Sequence, residues 1–312
     1  MPNVEDVIIV GSGPAGYTAA VYLAREEFKP LVMAGVEQGG QLMLTNMVEN
    51  FPGFPDGVLG TELMMRFRAQ AEKFGARFVN DSATDVDFKV RPFKVIVGSD
   101  TYLANSVILA PGASAKWLGL ESEKKFIGKG VSNCATCDGP LYKSKSLVVV
   151  GGGDTALEDA LFISKFASSV TIIHRRDEFR ASKIMQERIT SNSKIKVVWN
   201  SVIEEIIGAS KVTSVKVRNI KTDEVSDLKT DGVFVAIGFT PNTGFLQGKL
   251  PLDDQGYIIT KDEVRTGIEG VFVAGDVADK VYRQAVTAAG SGAKAALAAR
   301  AYLQNLKYSK GR

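Results

Sequence analysis

Val7-Ile8-Ile9-Val10-Gly11-Ser12-Gly13-Pro14-Ala15-Gly16 contains the strongest indication of fold in this 312-residue chain. It predicts a strand from Asp6 to Val10, then a glycine turn, then a helix through Arg25. Glycines in the order Gly-x-Gly-x-x-Gly permit a tight turn and let the backbone approach a pyrophosphate closely. The helix N-terminus adds free N–H groups and the positive end of the helix dipole. The stretch therefore predicts a dinucleotide-binding unit.

An acidic residue completes this first unit. Leu31-Val32-Met33 is the second predicted strand, and Glu37 lies just beyond it. An acid at that place in a dinucleotide-binding unit hydrogen-bonds the ribose. Strand, glycine turn, helix, strand and acid thus follow one another in the required order, which makes a chance glycine-rich turn the minority interpretation.

A second unit repeats the pattern but changes its ending. Ser146–Val150 is a predicted strand, Gly151–Ala156 (Gly-Gly-Gly-Asp-Thr-Ala) is the turn, and a helix follows to about residue 166. After the next strand, 170–173, come His174-Arg175-Arg176, with Arg180 four residues on. Cations replace the ribose-binding acid, as expected for a nucleotide that carries a 2′-phosphate.

The chain order predicts an α/β fold in which one domain is interrupted by the other. Val107–Gly112 and Val233–Gly238 are both buried-type strands ending in Ala-x-Gly, which places domain crossings near 112–116 and 239–242. A third such strand, Gly270–Ala274, indicates that the C-terminal segment returns to the first domain. We therefore expect two Rossmann-like domains, 1–115 with 243–312, and 116–242 between them. The two crossings form a natural hinge.

Cys134-Ala135-Thr136-Cys137-Asp138-Gly139 holds both cysteines of the chain. Two-residue spacing lets the sulfurs join without large backbone strain, so the pair can cycle between dithiol and disulfide. Half of a zinc site is the alternative, but zinc usually takes four ligands, and the chain has no second cysteine pair and one histidine. A dithiol between two nucleotide-binding turns predicts a redox enzyme.

Composition excludes several other classes. The chain is 45% apolar and 23% charged, and its net charge of +3 is too small and dispersed to indicate nucleic acid as a partner. No apolar run approaches the length of a membrane span, and the Ala-rich tail from Ala285 to Leu303 reads as a packed helix. The first predicted strand begins too early to leave room for a secretory leader. One close cysteine pair fits a reducing cytoplasm.

Taken together, these motifs resemble the low-molecular-weight, bacterial-type thioredoxin reductases, which are flavoproteins of the pyridine nucleotide-disulfide oxidoreductase family. The resemblance runs essentially end to end. It also rests on Gly39-Gly40-Gln41-Leu42, Val48-Glu49-Asn50-Phe51-Pro52-Gly53, Gly275-Asp276-Val277 and Arg283-Gln284-Ala285. It implies a homodimer of two-domain subunits that reduces thioredoxin. Pro111, Phe239 and Ala293 depart from the residues common in relatives (Thr, His and Cys) and concern the hinge more than the reaction.

The resemblance implies FAD on the first domain and NADPH on the second, with no metal. The residues implied for FAD are Gly11, Gly13, Pro14, Ala15, Gly16, Glu37, Gln41, Asn50, Gly275, Asp276, Arg283, Gln284 and Ala285. Those implied for NADPH are Gly151, Gly153, Asp154, Thr155, Ala156, His174, Arg175, Arg176 and Arg180. Charge-assisted hydrogen bonds contribute roughly 1.5–3 kcal/mol each, so two would favour NADPH over NADH on the order of 10²–10³-fold.

The same resemblance assigns roles at the dithiol. Cys137 faces the flavin, and Cys134 attacks the substrate disulfide, so electrons pass from NADPH to FAD, to the cysteine pair and then to thioredoxin. The larger disulfide reductases use a histidine as the acid–base partner, but His174 is placed at the 2′-phosphate. We therefore assign proton transfer to Asp138, next to Cys137, where burial near an apolar ring would raise the carboxyl pKa.

Three other functions stay open at this stage. A ferredoxin or flavodoxin reductase shares the architecture but lacks the dithiol. An oxygen-dependent dithiol oxidase acts without NADPH, and Arg175-Arg176 argue against it. A redox-sensing flavoprotein that binds a partner is not separated from a reductase by motifs, and NADPH turnover with a disulfide protein would distinguish the two.

Overall fold

The computed structural model describes residues 3–310, so the first two and last two residues of the expected first domain lie outside the described chain. The chain forms two compact units: it leaves the first after Ser114 and returns to it at Thr240. The expected boundaries fell after residues 115 and 242. The α/β class with one discontinuous and one inserted Rossmann-like domain is confirmed.

The structure contains short and long strands in both units. In chain order they are β1 (Val4–Val10), β2 (Leu31–Met33), β3 (Met47–Val48), β4 (Val58–Leu59), β5 (Arg77–Val79), β6 (Asp85–Asp87), β7 (Phe93–Val97), β8 (Asp100–Leu109), β9 (Ala113–Ala115), β10 (Val131–Ser132), β11 (Ser146–Val150), β12 (Ser169–Ile173), β13 (Ile195–Val198), β14 (Ser201–Gly208), β15 (Val212–Asn219), β16 (Val225–Lys229), β17 (Gly232–Val235), β18 (Phe239–Pro241) and β19 (Val271–Val273).

The helices divide between long packing helices and short ones. They are α1 (Pro14–Ala24), α2 (Gly60–Lys73), α3 (Glu121–Phe126), α4 (Ala135–Asp138), α5 (Asp154–Ser164), α6 (Lys183–Thr190) and α7 (Ala285–Lys310). Three short 3₁₀ segments cover Gly40–Leu44, Gly139–Tyr142 and Gly244–Leu246. Among residues 3–310, no helix is both long and apolar enough to cross a membrane.

The first unit is built on a sheet with β1 near its centre. The strand order is β5-β2-β1-β8-β7-β6, with β19 also paired to β8, and the strands from β5 to β8 and β19 run parallel. Successive side chains of a strand point to opposite faces. Ile9 therefore packs in the core on one face and Ile8 in the core on the other, and both are fully buried. A strand covered on both faces reads as a continuous apolar run, which is why β1 stood out in the sequence.

α1 and α7 pack closely against each other in the core that contains Ile9. A Cβ placed on Gly292 would lie 2.2 Å from the carbonyl oxygen of Ala15, so only glycine allows this approach. The Ala-rich tail is indeed a packed helix, and small residues let it lie against the start of α1. This contact brings the C-terminal helix to the first glycine turn.

The second unit has a parallel sheet of order β10-β17-β11-β12-β13 and a separate antiparallel sheet, β14-β15-β16. β11 occupies Ser146–Val150 as the sequence predicts, and the turn to α5 follows it. α4, which contains the second cysteine, follows β10 at one edge of this sheet. The segments through which the chain passes between units, β9 and β18, pair with each other.

Candidate active site and nucleotide-binding turns

The first glycine turn has two closed positions and one open one. A Cβ on Gly11 would lie 2.1 Å from the carbonyl oxygen of Ala110, and one on Gly16 would lie 2.0 Å from that of Gly11. Around Gly13, by contrast, a Cβ would meet nothing within 4 Å. Gly13 is also the N-cap of α1, with Pro14 following at the first helical position. The open surface at the helix start fits a pyrophosphate, whereas the closed positions hold the turn together.

The loop after β2 lies over this turn. The Gly39 N–H donates to the hydroxyl of Ser12 at 3.0 Å, and a Cβ on Gly40 would lie 3.3 Å from the Cα of Gly13. Gln41 comes next in the 3₁₀ segment and is exposed, as is Glu37 beyond the end of β2. The structure therefore brings the Gly39–Gln41 motif next to the turn.

The start of α7 contributes a second group of residues. The Gly275 N–H donates to the hydroxyl of Ser291 at 2.8 Å, and the side-chain amide of Asn50 donates to Oε1 of Gln284 at 3.2 Å. Arg283 directly precedes Gln284 and the helix that begins at Ala285, and its backbone is left-handed, with φ of 47°. Asn50 and Gln284 are thus neighbours although far apart in sequence.

Asp276 has a buried carboxylate oxygen that needs a donor. Its Oδ1 makes no hydrogen bond to the described residues. Burial, followed by the charge of nearby Asp279, raises the pKa of Asp276 to about 7, and the charge of Arg283 opposes this rise. A buried acceptor without a partner is unfavourable unless a ligand donates to it. The hydroxyl groups of a flavin dinucleotide would do so, and together with the open turn at Gly13 this makes the first unit fit FAD.

The second glycine turn has the same division into closed and open positions. A Cβ on Gly151 would lie 2.5 Å from the carbonyl oxygen of Ala236 and 2.6 Å from the Cβ of Ala156. At Gly153, the N-cap of α5, it would meet nothing within 4 Å. Thr155 is exposed in the first turn of that helix. The second unit therefore also fits a dinucleotide pyrophosphate at a helix start.

His174 lies beneath this turn. Its side chain is buried, and a Cβ on Gly152 would lie 2.2 Å from the ring. Its Nε2–H donates to the carbonyl oxygen of Glu178 at 3.0 Å. Burial lowers the pKa of His174, and the positive charges of the nearby arginines lower it further. The structure therefore places His174 as a neutral support for the turn and its loop, whereas the sequence placed it at the phosphate.

The three arginines follow His174 and are exposed. Arg175, Arg176 and Arg180 all lie close enough to lower the pKa of the histidine, so their charges gather around the turn. The backbone N–H of Arg180 donates to the carbonyl oxygen of Gly152 at 2.8 Å. This hydrogen bond places the arginine segment beside the glycine turn, as a 2′-phosphate site requires.

Asp154 is exposed, and one of its carboxylate oxygens is hydrogen-bonded to the protein. Its Oδ1 accepts hydrogen bonds from the backbone N–H of Ser182 at 2.9 Å and from the hydroxyl of Ser182 at 2.7 Å. These bonds hold the pKa of Asp154 below its usual value. Sequence reasoning missed Ser182. The available signal was that Ser182 directly precedes the helical residues of α6 (Lys183–Thr190), because serine is common at the N-cap of a helix.

The two cysteines form a disulfide at the start of α4. Their Cα atoms are 5.3 Å apart, and Cys134 is the N-cap of the helix. The backbone N–H of Cys137 donates to Sγ of Cys134 at 3.2 Å, and the N–H of Cys134 donates to the hydroxyl of Ser132 at 3.0 Å. Both cysteines are partly exposed. A donor aimed at Cys134 would stabilise its thiolate after reduction.

Asp138 follows Cys137 directly and is partly buried. Burial raises the pKa of its carboxyl, while a hydrogen bond with the Ser132 hydroxyl opposes that shift. Burial also raises the pKa of Tyr142 to about 12, and the charge of Asp138 contributes. Ser132 was not anticipated. Its hydroxyl bonds both the backbone of Cys134 and the carboxyl of Asp138, so it links the backbone of the first cysteine to that acid.

Comparison with known proteins agrees with this combination of fold, turns and dithiol. The family model described as pyridine nucleotide-disulphide oxidoreductase matches residues 5–292, and the chain belongs to that family. Within it, the chain is 53% identical over 302 residues to a thioredoxin reductase of Rickettsia conorii, covering 95% of this chain and 97% of the relative. It is 50% identical over 321 residues to thioredoxin reductase 2 of Arabidopsis thaliana, covering 98% and 84%.

Solved structures give the same result. The crystal structure of thioredoxin reductase from Streptococcus pyogenes is similar with a TM-score of 0.94 and 40% identity, covering 98% of this chain and all of that one. A thioredoxin reductase from Giardia duodenalis has a TM-score of 0.91 and 42% identity, covering 96% and 98%. The expected family, the NADPH-dependent oxidoreductase class, and FAD and NADPH as cofactors are confirmed.

Proposed function

We propose that the chain is a thioredoxin-disulfide reductase that uses NADPH. The observation that carries the proposal is the presence, within one unit, of a cysteine pair and an arginine-flanked nucleotide turn. A ferredoxin or flavodoxin reductase has no use for the dithiol, and an oxygen-dependent dithiol oxidase has no use for a 2′-phosphate site. Relatives that are about half identical over nearly the whole chain carry the name thioredoxin reductase.

Each unit holds one cofactor. Gly13 and the start of α1 hold the FAD pyrophosphate, Glu37 takes its ribose, and Asp276 accepts from its hydroxyl groups. Gly153 and the start of α5 hold the NADPH pyrophosphate, with the exposed arginines at the 2′-phosphate. When bound, NADPH and FAD would together supply the two electrons that reduce the cysteine disulfide.

The remaining residues implied by the family belong to the same two sites. Those assigned to FAD besides the residues above are Gly11, Pro14, Ala15, Gly16, Gln41, Asn50, Gly275, Arg283, Gln284 and Ala285. Those assigned to NADPH are Gly151, Asp154, Thr155, Ala156, His174, Arg175, Arg176 and Arg180. The open positions of the turns, Gly13 and Gly153, have room to contact the nucleotide directly. The closed positions, Gly11, Gly16 and Gly151, pack against the protein and hold the shape of each turn.

The cysteine pair performs thiol–disulfide exchange. The reduced Cys134 thiolate attacks one sulfur of the thioredoxin disulfide, forming a mixed disulfide and releasing the other sulfur as a thiolate that takes a proton. The Cys137 thiolate then attacks Sγ of Cys134, which re-forms the internal disulfide and releases dithiol thioredoxin. Asp138, whose pKa burial raises, holds and returns the proton beside Cys137.

The setting of the enzyme follows from the same resemblance. The chain acts as a homodimer on thioredoxin or a thioredoxin-like disulfide protein. A single close cysteine pair, with no other cysteine in the 312 residues, supports function in a reducing cytoplasm. Sedimentation of the FAD-loaded protein tests the dimer independently of the activity.

The experiment that tests the function is NADPH oxidation by the FAD-loaded chain, with and without a thioredoxin, beside Cys134→Ser. Oxidation that depends on thioredoxin and disappears in the variant supports the full electron path. A protein that binds FAD but ignores NADPH would contradict the arginine assignment and favour the dithiol oxidase. NADPH consumption that is indifferent to thioredoxin and to Cys134 would mean that electrons leave from the flavin.

A further inference from the structure

The segment that carries the three arginines is hydrogen-bonded to the second glycine turn at its far end. The backbone N–H of Arg180 donates to the carbonyl oxygen of Gly152 at 2.8 Å. Two residues later, Ser182 donates both its N–H and its hydroxyl to one carboxylate oxygen of Asp154, at 2.9 and 2.7 Å. Asp154 is the first residue of α5 and follows Gly153 directly. Three hydrogen bonds therefore tie residues 180–182 to residues 152–154.

Because Asp154 is charged, the groups that its carboxylate contacts bear directly on phosphate binding. The two hydrogen bonds from Ser182 hold its pKa low, so the side chain is a carboxylate at neutral pH. A carboxylate facing the open side of a phosphate-binding turn would repel the phosphates. Here the oxygen is instead engaged by donors at the start of α6 (Lys183–Thr190). The contribution of Asp154 to nucleotide binding therefore runs through Ser182.

The near end of the segment is held separately. His174 donates from Nε2 to the carbonyl oxygen of Glu178 at 3.0 Å, and the N–H of Asn200 donates to the carbonyl oxygen of Arg176 at 3.0 Å. The arginine side chains are therefore exposed on a backbone that is hydrogen-bonded at residues 174, 176, 178 and 180. Fixing the backbone lowers the entropy that each guanidinium loses when it binds an anion.

We propose that Asp154 is a positioning residue for the 2′-phosphate: by holding Ser182 it fixes the backbone of Arg180 beside the glycine turn. The inference rests on the proposed NADPH-dependent function and assigns Asp154 a role other than direct nucleotide contact. It makes selectivity for NADPH over NADH depend on a carboxylate that bonds Ser182.

The test uses variants that remove the tie in steps. Asp154→Ala removes the acceptor, Ser182→Ala leaves only the backbone donor, and Asp154→Asn keeps one acceptor oxygen without the charge. Glu158→Gln is the matched control, since it removes a carboxylate from the exposed face of the same helix one turn on. Each FAD-loaded protein is titrated with 2′,5′-ADP by calorimetry, and kcat/KM is measured with NADH, which lacks the 2′-phosphate.

We expect Asp154→Ala to weaken 2′,5′-ADP binding about ten- to hundredfold, the size of one lost charge-assisted hydrogen bond, with a smaller loss of kcat/KM for NADH. Ser182→Ala should weaken it less, and Asp154→Asn should restore most of the affinity. Glu158→Gln should match the wild type. Hydrogen exchange at residues 180–182 should be faster in Asp154→Ala than in the control.

Two results would overturn the proposal. Unchanged 2′,5′-ADP affinity in both Asp154→Ala and Ser182→Ala would show that the tie does not position Arg180. Equal changes with 2′,5′-ADP and NADH would mean that Asp154 acts on the nucleotide as a whole, by charge or by the stability of the turn. A wild-type chain that does not bind 2′,5′-ADP is a different result, because it would remove the NADPH site and the proposed function with it.

Discussion

Replacing Asp138 by asparagine tests the proton-transfer step at the dithiol. The side chain keeps its shape and can still bond the Ser132 hydroxyl, but it can no longer hold and release a proton. A positioned acid–base group contributes typically 10²–10⁴-fold, so we expect thioredoxin-dependent turnover to fall on that order. FAD content should be unchanged, because Asp138 lies in the second unit and the residues assigned to FAD lie in the first.

The raised pKa of Asp138 also predicts the direction in which turnover depends on pH. Burial raises the pKa of Asp138, so the carboxyl remains a proton donor to a higher pH than an exposed aspartate. Donation should be lost as pH rises through that pKa, and this limb of the profile should be absent in Asp138→Asn. The Ser132 hydroxyl opposes the upward shift, so Ser132→Ala should move the limb to higher pH.

The assay is NADPH oxidation at saturating NADPH with varied thioredoxin, together with rapid-mixing measurement of the reduced enzyme reacting with thioredoxin. Asp231→Asn is the matched control. Asp231 is the other carboxylate that raises the pKa of Tyr142, and it accepts from the Ser146 N–H at 3.0 Å instead of lying beside a cysteine. Unchanged turnover in Asp138→Asn, with a wild-type pH profile, would remove Asp138 from the mechanism.

Three further predictions concern the second turn. Changing both Arg175 and Arg176 to Gln should lower the ratio of kcat/KM for NADPH to that for NADH on the order of 10²–10³-fold, and an unchanged ratio would contradict their role. Gly152→Ala should lower the midpoint of thermal unfolding, because its Cβ would lie 2.2 Å from the His174 ring and overpacking lowers stability by about 1–3 kcal/mol. Gly153→Ala has open space around its Cβ, so it should keep the unfolding midpoint but raise KM for NADPH. The pKa of His174 in the folded chain lies below its unfolded value of 6.5, so the unfolded chain binds more protons between these two pKa values. Stability should therefore fall as pH falls through that range. This loss should be absent in His174→Gln when midpoints of thermal unfolding are measured across pH.

The parts of the fold that the sequence predicts are those set by local pattern. β11 occupies the predicted residues because a buried parallel strand is a short apolar run that ends at a glycine. α5 ends at Ser164, slightly before the predicted end near residue 166, since helix ends carry weak signals. The antiparallel sheet β14-β15-β16 was not anticipated, because register shifts interrupt the alternation of β14 and most residues of β16 are exposed.

The residues of the candidate site also fall into two groups: those that a local motif predicts and those that only tertiary packing brings together. The motif spacing predicts a glycine turn, and the structure distinguishes its positions, with Gly11 closed and Gly13 open. The contact between Asn50 and Gln284 joins residues 234 apart, and no local pattern could pair them. Only the packing of α7 on α1 brings them together, so the sequence reached them through resemblance alone.

The two glycine turns differ in how they are supported, and the difference bears on function. In the first, Gly16 lies directly against the carbonyl of Gly11, and the Ser12 hydroxyl accepts from the Gly39 N–H and donates to the Ala34 carbonyl. In the second, the corresponding place is Ala156, and the His174 ring fills the space under Gly152. Because the same histidine holds the Glu178 carbonyl within the arginine loop, the second turn and its 2′-phosphate site share one support. A substitution at Gly152 or His174 should therefore change nucleotide selectivity and stability together, whereas one at the open Gly13 of the first turn should lower FAD retention without a comparable loss of stability.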